Sequence, residues 1–251
     1  MSKTVLVTGA GSGFGRGVSH ALAARGHRVI ATTETDEQAD ELRADSPALT
    51  VIRMDVTTDD VERARDYDID VLIDNAGVGQ TGPMADVPMD RVRQLFEVNV
   101  FGTLAVTQVA LRGMVARGSG RVIIVSSIAG VISGPAFGPY SMTKHALEAM
   151  GKAMRAELAP QGIDVTLLNP GPYLTGFNDR MADSMWEWFS DDSLTAPGRS
   201  MFEFMRQLVT EGQLDPVEVI DKMVELVEVD VTEENNFVPP GIREQLGRSG
   251  G

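Results

Sequence analysis

The chain has 251 residues, 43% of them hydrophobic, which is enough for one sizeable core and a single domain. With 36 acidic against 22 basic residues the formal charge is −14, so binding to a phosphate backbone would oppose the protein's own field and no nucleic-acid partner is expected. There is no cysteine, which excludes disulfides, thiolate nucleophiles and cysteine-bound zinc, and three scattered histidines, His20, His27 and His145, make no metal set. No signal-like region precedes Thr4 and no apolar run approaches about 18 residues, so a soluble cytoplasmic protein without membrane contact is expected.

In chain order, strands are predicted at Thr4–Thr8, Arg28–Thr33, Leu49–Met54, Val71–Asp74, Arg121–Ser126 and Asp164–Leu168. Most are continuously apolar, as strands covered on both faces should be. Helical periods fill the gaps at Gly13–Arg25, Asp36–Ala44, Pro88–Arg117, Pro139–Ala159 and Pro216–Val229, with Gly26, Gly118-Ser119-Gly120 and Gly162 as punctuation. The alternation predicts an α/β fold with a doubly wound parallel sheet. In such a sheet ligands bind outside the carboxyl ends of the strands, so the residues just after each strand are the candidates for function.

The first strand runs into Thr8-Gly9-Ala10-Gly11-Ser12-Gly13-Phe14-Gly15 and then a helix. Glycines there let backbone approach a pyrophosphate, and the helix N-terminus offers unpaired N–H groups to the anion. The general G-x-G-x-x-G spacing is not met from any of these glycines, whereas T-G-x-x-x-G-x-G is, with Thr8, Gly9, Gly13 and Gly15 on the motif positions. After the second strand comes Glu34, a carboxylate suited to a ribose hydroxyl and repulsive to the extra phosphate of NADP, which favours NAD. Asp55-Val56 follows the third strand and Asn75-Ala76-Gly77 the fourth. Ser127 follows the fifth, and Tyr140 precedes Lys144 by one helical turn, on the same face.

Together these segments resemble the short-chain dehydrogenase/reductase family, over Lys3 to about Thr175 and with the motifs in the family's order. The resemblance implies a Rossmann-type fold and a catalytic set of Ser127, Tyr140, Lys144 and Asn99. Cofactor contacts are implied at Ser12 and Phe14 of the turn, at Asp55 and Val56 on the adenine edge, and at Asn75, Ala76 and Gly77. Asn169-Pro170-Gly171-Pro172-Tyr173-Leu174-Thr175 is similar to the family's P-G-x-x-x-T segment, so Pro170, Gly171, Tyr173 and Thr175 are expected to hold the nicotinamide carboxamide. The side chains suit alcohol oxidation. Tyr140 would take the hydroxyl proton, with its phenol lowered towards neutrality by Lys144 together with the positive charge of the oxidised nicotinamide, and Lys144 would also hold the nicotinamide ribose. Ser127 would hydrogen-bond the substrate oxygen and Asn99 would seat a proton-relaying water.

From Thr175 to Asp215 the strand–helix rhythm lapses, and seven of the chain's fourteen aromatic residues fall within Tyr173–Phe204. Stripes of Met181, Met185 and Trp188 or Phe189, then of Met201, Met205 and Leu208, predict two short helices forming a substrate lid over about 176–214. Phe177, Met181, Met185 and Trp186 are expected on its inner side, with Val78 and Phe137 on the opposite wall. Such surface suits an apolar or aromatic substrate, and Asp179, Asp183, Glu187, Asp191 and Asp192 disfavour a strongly anionic one.

The tail, Asn236-Phe237-Val238-Pro239-Pro240-Gly241 and onward, departs from the further strand of many family members. The departure leaves the family's tetramer open, and a homodimer or higher homo-oligomer is expected, with a dimer through the helices Pro88–Arg117 and Pro139–Ala159. Gly247-Arg248-Ser249-Gly250-Gly251 fits a hydrolase G-x-S-x-G spelling without the strand it needs, and Asp66-x-Asp68-x-Asp70 fails as a calcium loop at Val71. The leading function is an NAD-linked dehydrogenase of apolar secondary alcohols. An NADPH-dependent ketone reductase and a non-catalytic nucleotide sensor are the alternatives; a halohydrin-dehalogenase-like lyase is opposed by Gly13, Gly15 and Lys144.

Overall fold

A computed structural model describes residues 1–242. Its order is β1 (Thr4–Val7), α1 (Gly13–Ala24), β2 (Arg28–Thr33), α2 (Asp36–Asp45), β3 (Thr50–Arg53), β4 (Val71–Asp74), α3 (Met89–Phe96), α4 (Thr103–Arg117), β5 (Gly120–Val125), α5 (Gly138–Leu158) and β6 (Ile163–Pro170). Then follow α6 (Phe177–Asp183), α7 (Arg199–Thr210), α8 (Val217–Glu228) and β7 (Asn235–Val238). One seven-stranded sheet runs β3-β2-β1-β4-β5-β6-β7, and every pair in it is parallel. This is the expected Rossmann-type doubly wound sheet.

Strand alternation sorts the core into two layers. Val5 and Val7, with Val29, Ala31, Val71 and Ile73, pack under α1 and α8; Leu6, with Ile30, Leu72, Val122 and Ile124, packs under α4 and α5. These side chains are almost wholly buried, and each large one contributes roughly 1.5–3 kcal/mol by leaving water. Arg121, the buried cation of β5, pairs with Asp164 of β6 at 2.9 Å and donates to the Leu226, Val229 and Asp230 carbonyls, tying the sheet to the end of α8. The stretch Met89–Arg117 is long and apolar enough to span a membrane by length and composition alone. Here Val106, Ala110 and Met114 turn its apolar side onto the sheet.

Two elements differ from expectation. The stretch predicted as one helix, Pro88–Arg117, is split by a π-helical turn at Glu97–Gly102, a local widening that places a side chain where a regular helix would not. The tail does carry a further strand: β7 pairs with β6 from Leu167↔Asn235 to Pro170↔Val238. Its Asn236 amide satisfies the Thr166 hydroxyl at 2.7 Å and the Leu167 carbonyl at 3.2 Å, so polar side chains complete an edge that apolar patterning does not announce. The segment Gly247–Gly251 lies outside the described residues.

Candidate active site

The strand ends of β1, β2, β4, β5 and β6 open into one cavity of about 1550 Å³. Its floor is the glycine turn. Gly9 and Gly13 hold φ of +66° and +54°, a region that penalises any Cβ. A Cβ on Gly9 would lie 2.8 Å from the Ala76 Cα, and one on Gly15 would lie 2.4 Å from the Gly9 carbonyl oxygen. Ser12 starts α1 in extended backbone and makes no capping hydrogen bond, so the first-turn N–H groups keep no side-chain acceptor. Gly11, Ser12, Gly13 and Phe14 all line the cavity. This close, N–H-rich cradle fits a dinucleotide pyrophosphate.

Thr8 and Gly15 act from behind this surface and do not line the cavity. The Thr8 hydroxyl accepts from the Asn75 and Ala76 backbone N–H groups, both at 2.9 Å, and the Asn75 amide donates to the Thr8 carbonyl at 2.9 Å. Thr8 therefore joins the turn after β1 to the Asn75-Ala76-Gly77 segment. Thr175 packs on Gly13, its Cβ 3.4 Å from where a Gly13 Cβ would stand. Pro170, Gly171, Tyr173, Asp55 and Val56 line the same cavity. Tyr173 turns its ring inward against Phe14 and gives its hydroxyl proton to Glu218 at 2.8 Å.

At the β2 end the cavity presents Glu34 and Gln38. Gln38 belongs to a capping box with Thr35 that starts α2, and its side chain rests against Gly11. Arg16, the cation next to the glycine turn in sequence, is drawn off by Asp45 at 2.8 Å. The cationic residues lining the cavity among those described are Arg91, Lys144 and Arg180, all on other elements.

Ser127, Tyr140 and Lys144 meet in the middle of the cavity. The Ser127 hydroxyl donates to the Pro170 carbonyl at 3.4 Å and accepts from the Ala129 N–H at 3.1 Å, and it stands close enough to Tyr140 to influence its phenol. The Lys144 ammonium donates to the Val125 carbonyl at 2.8 Å and stands 5.6 Å from the centre of the Tyr140 ring. Burial sets both acidities. It pushes the Tyr140 phenol well above its ordinary value, opposed by the Ser127 hydroxyl, and it lowers Lys144 to about 8, opposed by the Glu148 carboxylate. The expected lowering of Tyr140 is thus absent from the protein alone, because desolvation of the phenolate outweighs the chain's own stabilising contacts.

Asn99 is also placed differently from expectation. It is 1% exposed on the π-helical turn and lies behind the cavity wall. Its oxygen accepts from the Val78 N–H at 2.8 Å, and its amide donates to the Val78 carbonyl at 2.9 Å and to Thr143 at 3.1 Å. With both ends held by protein, the carboxamide clamps the Val78 loop against α5, and a water seated on it would have to replace one of these bonds.

Of the residues expected to face a substrate, Val78, Phe137, Phe177 and Met181 line the cavity. The Phe177 ring stands 5.8 Å from that of Tyr140. Met185 and Trp186 do not line it. They pack with Phe189 and Phe202 in a separate apolar cluster. Helical spacing found that apolar stripe but could not tell which neighbour it faces. No short motif marks Glu148 or Thr143, which touch Lys144 and Asn99 from behind the cavity.

Comparison with known proteins agrees with this geometry. A family model described as short chain dehydrogenase matches residues 3–186. The uncharacterized oxidoreductase YusZ of Bacillus subtilis (strain 168) is 36% identical over 236 residues, 89% of this chain and 84% of that protein. The NADPH-dependent 3-dehydrocapnine reductase of Ornithobacterium rhinotracheale is 36% identical over 184 residues, 68% of this chain and 65% of that protein. A crystal structure of a short-chain dehydrogenase from Streptomyces avermitilis aligns with a TM-score of 0.82 at 32% identity, covering 99% of this chain and 92% of that one. The chain belongs to the short-chain dehydrogenase family, and it is an oxidoreductase that transfers hydride with a nicotinamide cofactor.

Proposed function

We propose that the protein is an NAD-linked dehydrogenase of apolar secondary alcohols, aromatic ones included, working reversibly on the matching ketones. The observation that carries this reading is that Ser127, Tyr140 and Lys144 line one cavity together with the glycine cradle and with Val78, Phe137, Phe177 and Met181. Tyr140 takes the alcohol proton in oxidation and returns it in reduction. Ser127, close to the phenol, holds the substrate oxygen through the change from alcohol to carbonyl. Lys144 favours the phenolate by its charge. Bound nicotinamide supplies the hydride acceptor or donor, and its positive oxidised ring adds to the same electrostatic pull. Phe177 and the lid keep water from the reacting carbon.

NAD is favoured over NADP by Glu34 at the cavity's β2 end and by the withdrawal of Arg16 into its Asp45 pair. The NADPH dependence in the printed name of the Ornithobacterium rhinotracheale relative makes this the sharper half of the reading. Tryptophan quenching by NADH and NADPH is expected to show the tighter binding for NADH, with Glu34→Gln narrowing the gap. Preference of the unaltered protein for NADPH refutes the assignment. For the chemistry, a panel of secondary alcohols with NAD is followed by absorbance of the reduced cofactor, and Tyr140→Phe is expected to lose about 10²-fold or more. No turnover across the panel, with Tyr140→Phe indistinguishable from the parent, overturns the reading.

A further inference from the structure

The acidic residues of the lid suggest, on sequence alone, that an anion is unwelcome. The structure reverses this, because most of those charges are already engaged. Asp183 pairs with Arg206 at 2.6 Å, Glu187 with Arg91 at 2.9 Å and Asp191 with Arg199 at 2.7 Å. Asp179 accepts from the Gln213 amide at 3.2 Å. Arg180, between Asp179 and Asp183 in the sequence of α6, lines the main cavity and has no carboxylate or carbonyl partner for its guanidinium among the described residues. Arg91, the other lid-side arginine in that wall, is neutralised by Glu187 and also donates to Gln80 at 3.4 Å.

The direction in which Arg180 reaches is equally specific. One guanidinium nitrogen lies 3.0 Å from where a Cβ on Gly176 would stand, and Gly176, at φ +74°, has none. Gly176 follows Thr175, whose side chain packs on Gly13 of the glycine turn. The side chain therefore folds back from the lid towards the seam between lid and cradle, where α1 begins.

We propose that Arg180 receives an oxyanion inside the cavity, forming a charge-assisted pair that draws the lid over the bound ligand. Two ligands can bring that chemistry: the dinucleotide, through its pyrophosphate, or a substrate bearing a carboxylate beside its apolar body. The Gly176–Thr175–Gly13 contact places Arg180 towards the pyrophosphate side. The planar guanidinium suits either group bidentately, and an unpaired arginine keeps its full donor set for an incoming anion. This deepens the proposed function by assigning the residue that senses the ligand's charge. Its dinucleotide arm rests on binding alone, so it survives even if the alcohol panel shows no turnover.

The test compares the full chain with Arg180→Gln, an exposed position where the change removes charge and keeps a polar side chain. Dissociation constants for NADH, ADP-ribose and adenosine are measured by tryptophan quenching, and KM is measured for a neutral secondary alcohol and its carboxylate-bearing analogue. If pyrophosphate is the partner, NADH and ADP-ribose weaken about tenfold while adenosine is unchanged. If the substrate is, the cofactor constants hold and only the carboxylate analogue's KM rises about tenfold. Arg91→Gln serves as the control, because its charge is already spent on Glu187, and it should move the cofactor constants by less than twofold. Arg180→Gln changing neither NADH and ADP-ribose binding nor the analogue's KM beyond twofold overturns the proposal, as does an equal loss for adenosine and ADP-ribose.

Discussion

Asp74 closes β4 with its carboxyl group inside the protein, 3% exposed, and Thr107 of α4 donates to it at 2.6 Å. That one bond does not offset desolvation, and burial raises the carboxyl from 3.8 to about 7. The group binds its proton more tightly when folded than when unfolded, so its contribution to stability is fully present below pH 3.8 and is lost as pH rises through about 7. At about 1.4 kcal/mol per unit, the whole swing is roughly 4 kcal/mol, of which roughly 2–3 kcal/mol falls between about pH 5 and 8. Asp74→Asn keeps an oxygen to accept from Thr107 and removes the titration. Urea unfolding of both proteins at several pH values isolates the effect, since every other titrating group cancels in the difference. The variant should gain on the parent by roughly 2–3 kcal/mol as pH goes from about 5 to 8. Parallel stability curves for the two proteins would refute the argument that an uncompensated buried carboxylate is being held neutral.

Gly15→Ala places a methyl 2.4 Å from the Gly9 carbonyl and 2.6 Å from the Asn75 amide; a loss of several kcal/mol by urea unfolding is expected, together with weaker NADH binding by fluorescence. Glu148→Gln removes the one carboxylate that holds Lys144 up near 8, so the alkaline limb of the kcat profile should move to lower pH, whereas a purely structural role would lower kcat evenly across pH. A dimer through α4 and α5, whose outer faces leave Val115 and Met142 exposed, predicts twice the chain mass by light scattering at micromolar concentration; monomer alone counts against it.

The parts of the fold that were legible in the sequence are those in which local chemistry and global role coincide. Val5, Leu6 and Val7 are apolar because both faces of β1 are covered, and Gly9, Gly13 and Gly15 are glycines because the backbone there turns sharply or is crowded. The unread parts are set by partners far along the chain. Asn235 and Asn236 spell a loop, yet β6 supplies a ladder and the Thr166 hydroxyl a partner. Asn99 continues a helical period by composition, while Val78 and Thr143, from two other elements, decide which way its amide points. Met185 and Trp186 show an apolar stripe whose destination, the cluster with Phe189 and Phe202, depends on how α7 folds back.

The electrostatics of the catalytic group illustrate the same limit with a chemical consequence. Tyr-x-x-x-Lys spacing puts cation and phenol on one helical face, which by itself argues for an acidified tyrosine. Folding buries both side chains, and in low-dielectric surroundings desolvation acts on each in the direction of its neutral form. The two acidities therefore move apart, the phenol rising and the ammonium falling. A fixed charge also counts for more there than at the surface. Glu148 is the chain's own answer to the second shift. It lies one turn beyond Lys144 on α5, and its carboxylate is oriented by the Asn169 amide at 2.6 Å and the Asn235 amide at 2.7 Å. Asn169 in turn donates to the Ser127 carbonyl at 3.3 Å. The strand that the sequence hid, β7, thus supplies one of the two amides that aim the carboxylate sustaining the charge of Lys144, and under the proposed mechanism the edge of the sheet tunes the proton transfer.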